Sequence, residues 1–184
     1  MDPFRPAVRC LPLLLAIVAA GPLSLCAQDV AAGGAPAVIV LVRHAEKAEA
    51  AADDPPLTAE GNDRARLLAS LVADLGLDRV LSTDYVRTRE TAAPAATRAG
   101  LDLETYDPSR LEALADALRA AAGRRVLVVG HSNTTPELVG LLGGKPGPPI
   151  DEAAEYDRLY VLTIPASGPV TTLLLRFGRP FERR

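Results

Sequence analysis

The sequence predicts a three-layer α/β/α fold, with a mostly parallel sheet and an antiparallel edge. Three observations lead there. Apolar, β-branched runs alternate with stretches of helical period along most of the chain, the pattern of a parallel sheet covered by helices on both faces. The last two apolar runs are joined by a short turn near Ala166 to Gly168, which makes an antiparallel edge. The chain has 184 residues with no internal repeat or linker, which fits one folded domain.

The elements follow in order. VIVLV (38–42) reads as a strand. LTAEGNDRARLLASLVADLG (57–76) reads as a helix with Thr58 as N-cap and Leu67, Leu68, Leu71, Val72 and Leu75 as its apolar stripe. DRVLSTD (78–84) is a strand running into a loop, and 86–100 is a helix closed by Gly100. LDLETYDP is a strand or extended segment. Residues 109–123 form a helix capped by Ser109 and ended by Gly123. RVLVVG (125–130) is a strand, and 135–144 is a helix with Pro136 near its start. KPGPPIDEAAE (145–155) is a loop, and YDRLYVLTIP and VTTLLLRFG are the closing strands.

Residues 1–27 stand apart from this pattern. Arg5 and Arg9 precede an apolar stretch broken by Pro12, Gly21 and Pro22, and Ala27 offers a small residue for cleavage. That is the order of a secretory signal peptide, which implies a secreted or periplasmic protein with no stable membrane partner. An uncleaved anchor and lipidation at Cys26 are the alternatives, though Leu25 suits lipidation poorly. Residues 28–37 read as a flexible lead-in, and 38–184 as the folded domain. The only cysteines are Cys10 and Cys26, so the domain carries no thiol nucleophile, disulfide or cysteine metal site. The formal charge of the whole chain is −3. This excludes a generally basic nucleic-acid surface, so an anionic ligand must be held by a local cluster.

Such a cluster is visible. In open parallel sheets ligands bind beyond the carboxyl ends of the strands. Arg43, His44, Ser82, Asp84 and His131 fall at such ends, and Arg87 and Arg89 follow shortly after one of them. The chain's two histidines are both among them. Arginine's planar fork suits phosphate oxygens. A neutral histidine can attack phosphorus, and a second can donate to the transferring group. The inventory is that of a phosphoryl-transfer site needing no metal or other cofactor.

The motifs resemble those of the histidine phosphatase (phosphoglycerate mutase-like) superfamily, in its short bacterial form. RHAEK resembles its Arg-His-Gly signature, LTAEG its Leu-Thr-x-x-Gly helix start, LSTDYVRTRETA its Ser-Ser-x-x-x-Arg-x-x-x-Thr-Ala segment, and VLVVGHS its late strand and second histidine. All four occur in the family's order. The resemblance implies a phosphoglycerate mutase-like fold and a phosphatase with a small phosphorylated substrate. It assigns His44 as nucleophile, Arg43 and Arg87 as phosphate clamps, and His131 as the group completing the pocket; Ser132, next in the chain, is a further candidate phosphate ligand. The family's glycine after the histidine is Ala45 here, a small change expected to tighten the backbone approach slightly. Asp107 is the favoured general acid, ahead of Glu104 and Glu46. Short bacterial members acting on phosphohistidine manage without a clear acid, so absence of one would imply activated substrates.

Four rivals remain open. A serine hydrolase would use Ser132 in VVGHSNT, but Thr134 replaces the final glycine of G-x-S-x-G and no histidine follows His131. A zinc site on the two histidines with Asp84 or Asp107 conflicts with the neighbouring arginines. A non-catalytic phosphate-binding member of the same fold predicts binding without turnover. Mutase-type phosphotransfer needs a lid against water, and the connections are short. A neutral His44 is required for attack, so activity is expected to fall as acid protonates it. The physiological substrate and oligomeric state are not legible.

Overall fold

The computed structural model describes residues 34–49 and 53–182. The expected signal peptide, Cys26 and residues 28–33 of the lead-in lie outside them. Six strands form one sheet: β1 (Ala37–Arg43), β2 (Arg79–Ser82), β3 (Leu103–Thr105), β4 (Arg125–Gly130), β5 (Arg158–Ile164) and β6 (Thr171–Arg176), in the order β3-β2-β4-β1-β5-β6. The first four in that order are mutually parallel. β5 runs antiparallel to both β1 and β6. This is the three-layer arrangement with an antiparallel edge that the alternation predicted.

Period-2 side-chain alternation divides the core. Ile39, Leu41, Val126 and Val128 face α3 (Leu111–Arg119) and α4 (Thr134–Leu141). Val40, Val42, Leu127 and Val129 face α1 (Ala59–Leu71) and α2 (Val86–Ala99). Central strands buried on both faces must be apolar throughout, which is why VIVLV and VLVV carry no polar residue. Among the described residues no helix is long and apolar enough to cross a membrane.

Two helices differ from expectation. The first ends at Leu71, and Ala73–Leu75 tighten into a 3-10 turn before Gly76 at φ 62°. Leu68 and Val72 are buried, but Leu67 and Leu71 are 39% and 52% exposed, so the apolar stripe is narrower than the sequence suggests. The third helix is shorter than 109–123. Ser109 does not cap it, because its N–H and hydroxyl both donate to the Asp107 carboxylate. Gly123, at φ 75°, turns the chain toward β4 instead of closing the helix.

Two family-like positions acquire physical reasons. Thr58 caps α1 by accepting from the Gly61 N–H at 3.0 Å, while its own N–H donates to the Glu46 carbonyl at 2.9 Å. A Cβ on Gly61 would stand 2.3 Å from that carbonyl oxygen, so the LTAEG glycine permits the close approach. The Ala45 methyl, in place of hydrogen, packs with Leu57 and Ala65 in a small apolar cluster.

The 145–157 segment is held from below. The fully buried Arg158 donates to the carbonyls of Pro148 and Pro149 and pairs with Glu155 through two hydrogen bonds of 2.6 and 2.9 Å. Tyr160 accepts from Arg158 and donates to the Pro146 carbonyl. Arg176 of β6 bridges Glu155 and Asp157.

Candidate active site

The sheet order positions the two histidines. β4 lies between β1 and β2, with Arg43 opposite Gly130 and Ser82 opposite Val129. The residues just beyond these three strand ends therefore converge. The His44 N–H donates to the Gly130 carbonyl at 2.9 Å. The two imidazoles stand 5.5 Å apart, edge to face.

His44 is 4% exposed. Its Nδ1 lies 2.8 Å from the Ala45 carbonyl, which can only accept. Nδ1 therefore carries the proton and Nε2 the free lone pair. The next peptide is fixed as well: the Ala45 N–H donates to Thr91 Oγ1, which donates to the Arg87 carbonyl. Thr91 thus locks the strand exit at His44 onto α2. Burial, then the charges of Arg43 and Arg87, push the His44 pKa down to about 3, against the opposing pull of the Ala45 carbonyl. His44 is neutral at pH 7.

Arg43 is buried and commits three of its five donors to the 151–155 backbone. Nη1 donates to the Asp151 and Glu155 carbonyls and Nη2 to that of Glu152, at 2.6 to 3.1 Å. Among the described residues its buried Nε–H has no partner, and one Nη2 hydrogen is spare. A buried donor without a partner is costly, so an oxyanion there would satisfy it. Arg87 has the same feature: its buried Nε has no partner among the described residues, while Nη1 reaches Asp54 at 3.3 Å. Each arginine stacks on a tyrosine, Arg43 on Tyr156 at 4.0 Å and Arg87 on Tyr85 at 4.3 Å. The same tyrosines flank the histidines, Tyr156 beside His44 and Tyr85 edge-on to His131.

His131 Nε2 lies 3.0 Å from Thr83 Oγ1. Burial, then the charges of Arg87 and Arg43, lower its pKa to about 4, with Asp54 opposing. Ser132, half-buried in the turn before α4, makes no side-chain hydrogen bond among the described residues.

The three candidate acids are committed elsewhere. Glu46 takes Arg64 bidentately at 2.6 to 3.0 Å, and Glu104 takes Arg79 at 2.6 and 2.8 Å. Asp107 is exposed and held by Ser109, whose hydrogen bonds keep its pKa below the usual carboxylate value. It lines a small cavity with Tyr85 but has no hydrogen bond to either histidine. Of the two arginines that follow β2, only Arg87 reaches the site, because Arg89 pairs with Asp84 at the surface.

Sequence reasoning passed over Asp54. Its carboxylate accepts from the Val86 N–H through both oxygens at 3.0 Å, capping α2 from a distant loop, and steadies Arg87. No spacing signal marks an aspartate 32 positions from the helix it caps. Tyr85 and Tyr156 were also passed over, since isolated tyrosines carry no pattern.

Comparison with known proteins agrees with this geometry. The sequence profile of the histidine phosphatase superfamily (branch 1) matches residues 39–108. Proteins named probable phosphoglycerate mutase GpmB, from Serratia proteamaculans and Escherichia coli, are 39% and 37% identical over 71 residues. That segment is 35% of this chain and spans about a third, 33%, of the relatives' length. Among solved structures, the protein histidine phosphatase SixA complexed with tungstate superposes with TM-score 0.60 at 24% identity, covering 76% of this chain and 96% of that one. A mycobacterial glucosyl-3-phosphoglycerate phosphatase shares the fold with TM-score 0.55 at 15% identity, over 68% of this chain and 89% of its own. The profile match over residues 39–108, the motif order and the fold are each similar to those of the histidine phosphatase superfamily, and the similar proteins are named both as mutases and as phosphatases.

Proposed function

We propose that the protein hydrolyses a phosphomonoester or phosphoramidate through a phosphohistidine on His44. One observation carries the reading: a neutral His44 has its Nδ1–H tied to the Ala45 carbonyl, leaving the Nε2 lone pair beside two arginines with unpartnered buried Nε–H groups. Nε2 attacks phosphorus in line, the bond to the leaving group breaks, and that group departs with the electron pair. The free donors of Arg43 and Arg87, with His131, hold the nonbridging oxygens. Water then attacks phosphorus, the P–N bond breaks, and phosphate leaves with His44 restored.

None of the three carboxylates is set up as an acid. A general acid near neutral pH needs a raised pKa, and that of Asp107 is lowered. The reading therefore favours leaving groups that need no proton from the protein, such as an aryl oxide or a phosphoramidate imidazole already protonated on its far nitrogen. Hydrolysis is favoured over mutase transfer because the connections between the motifs are short and supply no long insertion to close over the site. Tyr85 is 41% exposed, and a groove of about 1040 Å³ runs beside Tyr156 between α1, the 149–156 segment and the C-terminal residues. Water then competes for the phosphoenzyme. The 145–155 loop borders this groove and is the element we propose for substrate choice. Export, on the N-terminal segment alone, is part of the same proposal.

The test is an alkali-quenched reaction with an aryl phosphate, followed by mass spectrometry. Phosphate on His44 in wild type but not His44→Ala, with turnover unaffected by chelator, supports the reading. Vanadate binding without adduct or turnover across a broad panel refutes it in favour of a phosphate-binding module. Rates that hardly depend on leaving-group pKa refute the absence of an acid.

A further inference from the structure

The proton positions around His131 follow from a chain of short contacts. His131 Nε2 is 3.0 Å from Thr83 Oγ1, and Thr83 Oγ1 is 2.8 Å from Thr88 Oγ1. Thr88 Oγ1 in turn sits 2.8 Å from the Tyr85 carbonyl and 3.1 Å from that of Thr83. Both threonines are fully buried. Carbonyls cannot donate, so the single Thr88 proton goes to them; otherwise two carbonyl oxygens would face hydroxyl lone pairs at close range. The 2.8 Å contact between hydroxyls then requires Thr83 as donor to Thr88. Thr83 has no second proton, so it accepts from His131 Nε2–H.

We propose that Thr83 and Thr88 are positioning residues that fix His131 as its Nε2–H tautomer, leaving Nδ1 to take up one proton with each phosphoryl dianion bound. This rests on the reading of the site as a phosphoryl-transfer centre. The two histidines are thereby held in opposite tautomers, His44 protonated on Nδ1 and His131 on Nε2. No described residue hydrogen-bonds His131 Nδ1. In neutral His131 that atom presents a lone pair, which repels a phosphate oxygen. With a phosphomonoester monoanion, the substrate's O–H bond breaks as the Nδ1–H bond forms, and the imidazolium donates back to the same oxygen. A dianion needs the proton from solvent. On product release the proton returns to phosphate or to water, and nothing is oxidised or reduced.

The charged and titratable groups acting on His131 are Arg87, Arg43, Lys47, Asp54 and His44, with Tyr85 against its ring. The cations oppose protonation of the empty site, and a bound dianion offsets them. Proton uptake is therefore coupled to binding.

Tungstate, a dianion throughout pH 6–8, tests this on the full-length protein. Its affinity should fall by about tenfold per pH unit across that range, one proton being taken up per ion. Nitrogen NMR of the unliganded protein should give His131 a protonated Nε2 and an unprotonated Nδ1. Thr88→Val removes the acceptor for Thr83, whose proton then turns to His131 Nε2 and moves the imidazole proton to Nδ1. The pH slope should flatten in that variant and return in Thr88→Ser. An unprotonated Nε2 in the wild type overturns the proposal without any variant, as does a slope unchanged in folded Thr88→Val. Absence of tungstate binding alongside the expected tautomer would instead count against the phosphoryl-transfer reading.

Discussion

Glu155→Gln tests how the fold reaches the site. Glu155 is 1% exposed and accepts from Arg158, Arg176 and the Asp151 N–H. Arg158 is buried with it. Neutralising Glu155 leaves a buried guanidinium without its counter-charge, a change that costs about 3–5 kcal/mol. Titration gives a similar size. Burial alone would raise the Glu155 pKa, but the hydrogen bonds from Arg158, Asp151 and Arg176 outweigh it and bring it to about 2 from 4.5. That difference corresponds to about 3 kcal/mol, present above pH 4.5 and lost as pH falls toward 2. The substitution also frees the Asp151–Glu155 turn, whose carbonyls hold Arg43. Urea denaturation should therefore show a loss of about 3 kcal/mol, with kcat/KM for an aryl phosphate falling by at least about tenfold under conditions where the variant is still folded. A loss below about 1 kcal/mol, or unaltered kcat/KM, refutes the argument that this buried pair supports the arginine.

Four further outcomes are expected. Because burial and the two arginines lower the His44 pKa to about 3, kcat/KM should show no acid limb near the ordinary imidazole value of about 6.5. The same shift makes the unfolded chain bind the extra proton, so this group alone should reduce stability by about 3 kcal/mol between pH 6.5 and about 4, read by urea titration. Gly61→Ala places a methyl 2.3 Å from the Glu46 carbonyl and should destabilise by about 1–3 kcal/mol in thermal unfolding; an unchanged midpoint refutes the close-approach account. Thr91→Val removes the acceptor of the buried Ala45 N–H and should cost about 1–3 kcal/mol and lower kcat, with Thr91→Ser restoring both.

Helix ends and loop carboxylates were the least legible parts of the chain. Residues 109–123 have helical composition, yet the helix starts only at Leu111 because Asp107 captures Ser109 locally. Leu67 and Leu71 carry the period of a core stripe but lie on the flank of α1, where no strand or helix covers them fully. Glu46 and Glu104 looked free as acids, since the arginines that bind them are 18 and 25 positions away. Asp54 had no motif, although it is the carboxylate joined to Arg87.

What the sequence determined by itself was what local pattern can encode. Apolar residues at every position mark strands buried on both faces, and a strand that stops at Arg43-His44 or Gly130-His131 marks the end where chemistry collects. Those readings need only neighbours along the chain. The tertiary structure alone decided which ends meet. Insertion of β4 between β1 and β2 sets His44 and His131 5.5 Å apart and brings Thr83 to His131. The 151–155 carbonyls on Arg43 and Thr91 under Ala45 link residues far apart in sequence, and the direction of each hydrogen bond depends on the acceptor packed at its end. Proton placement at both histidines is therefore a property of packing, because a carbonyl or hydroxyl contributed by the fold selects the tautomer in each case.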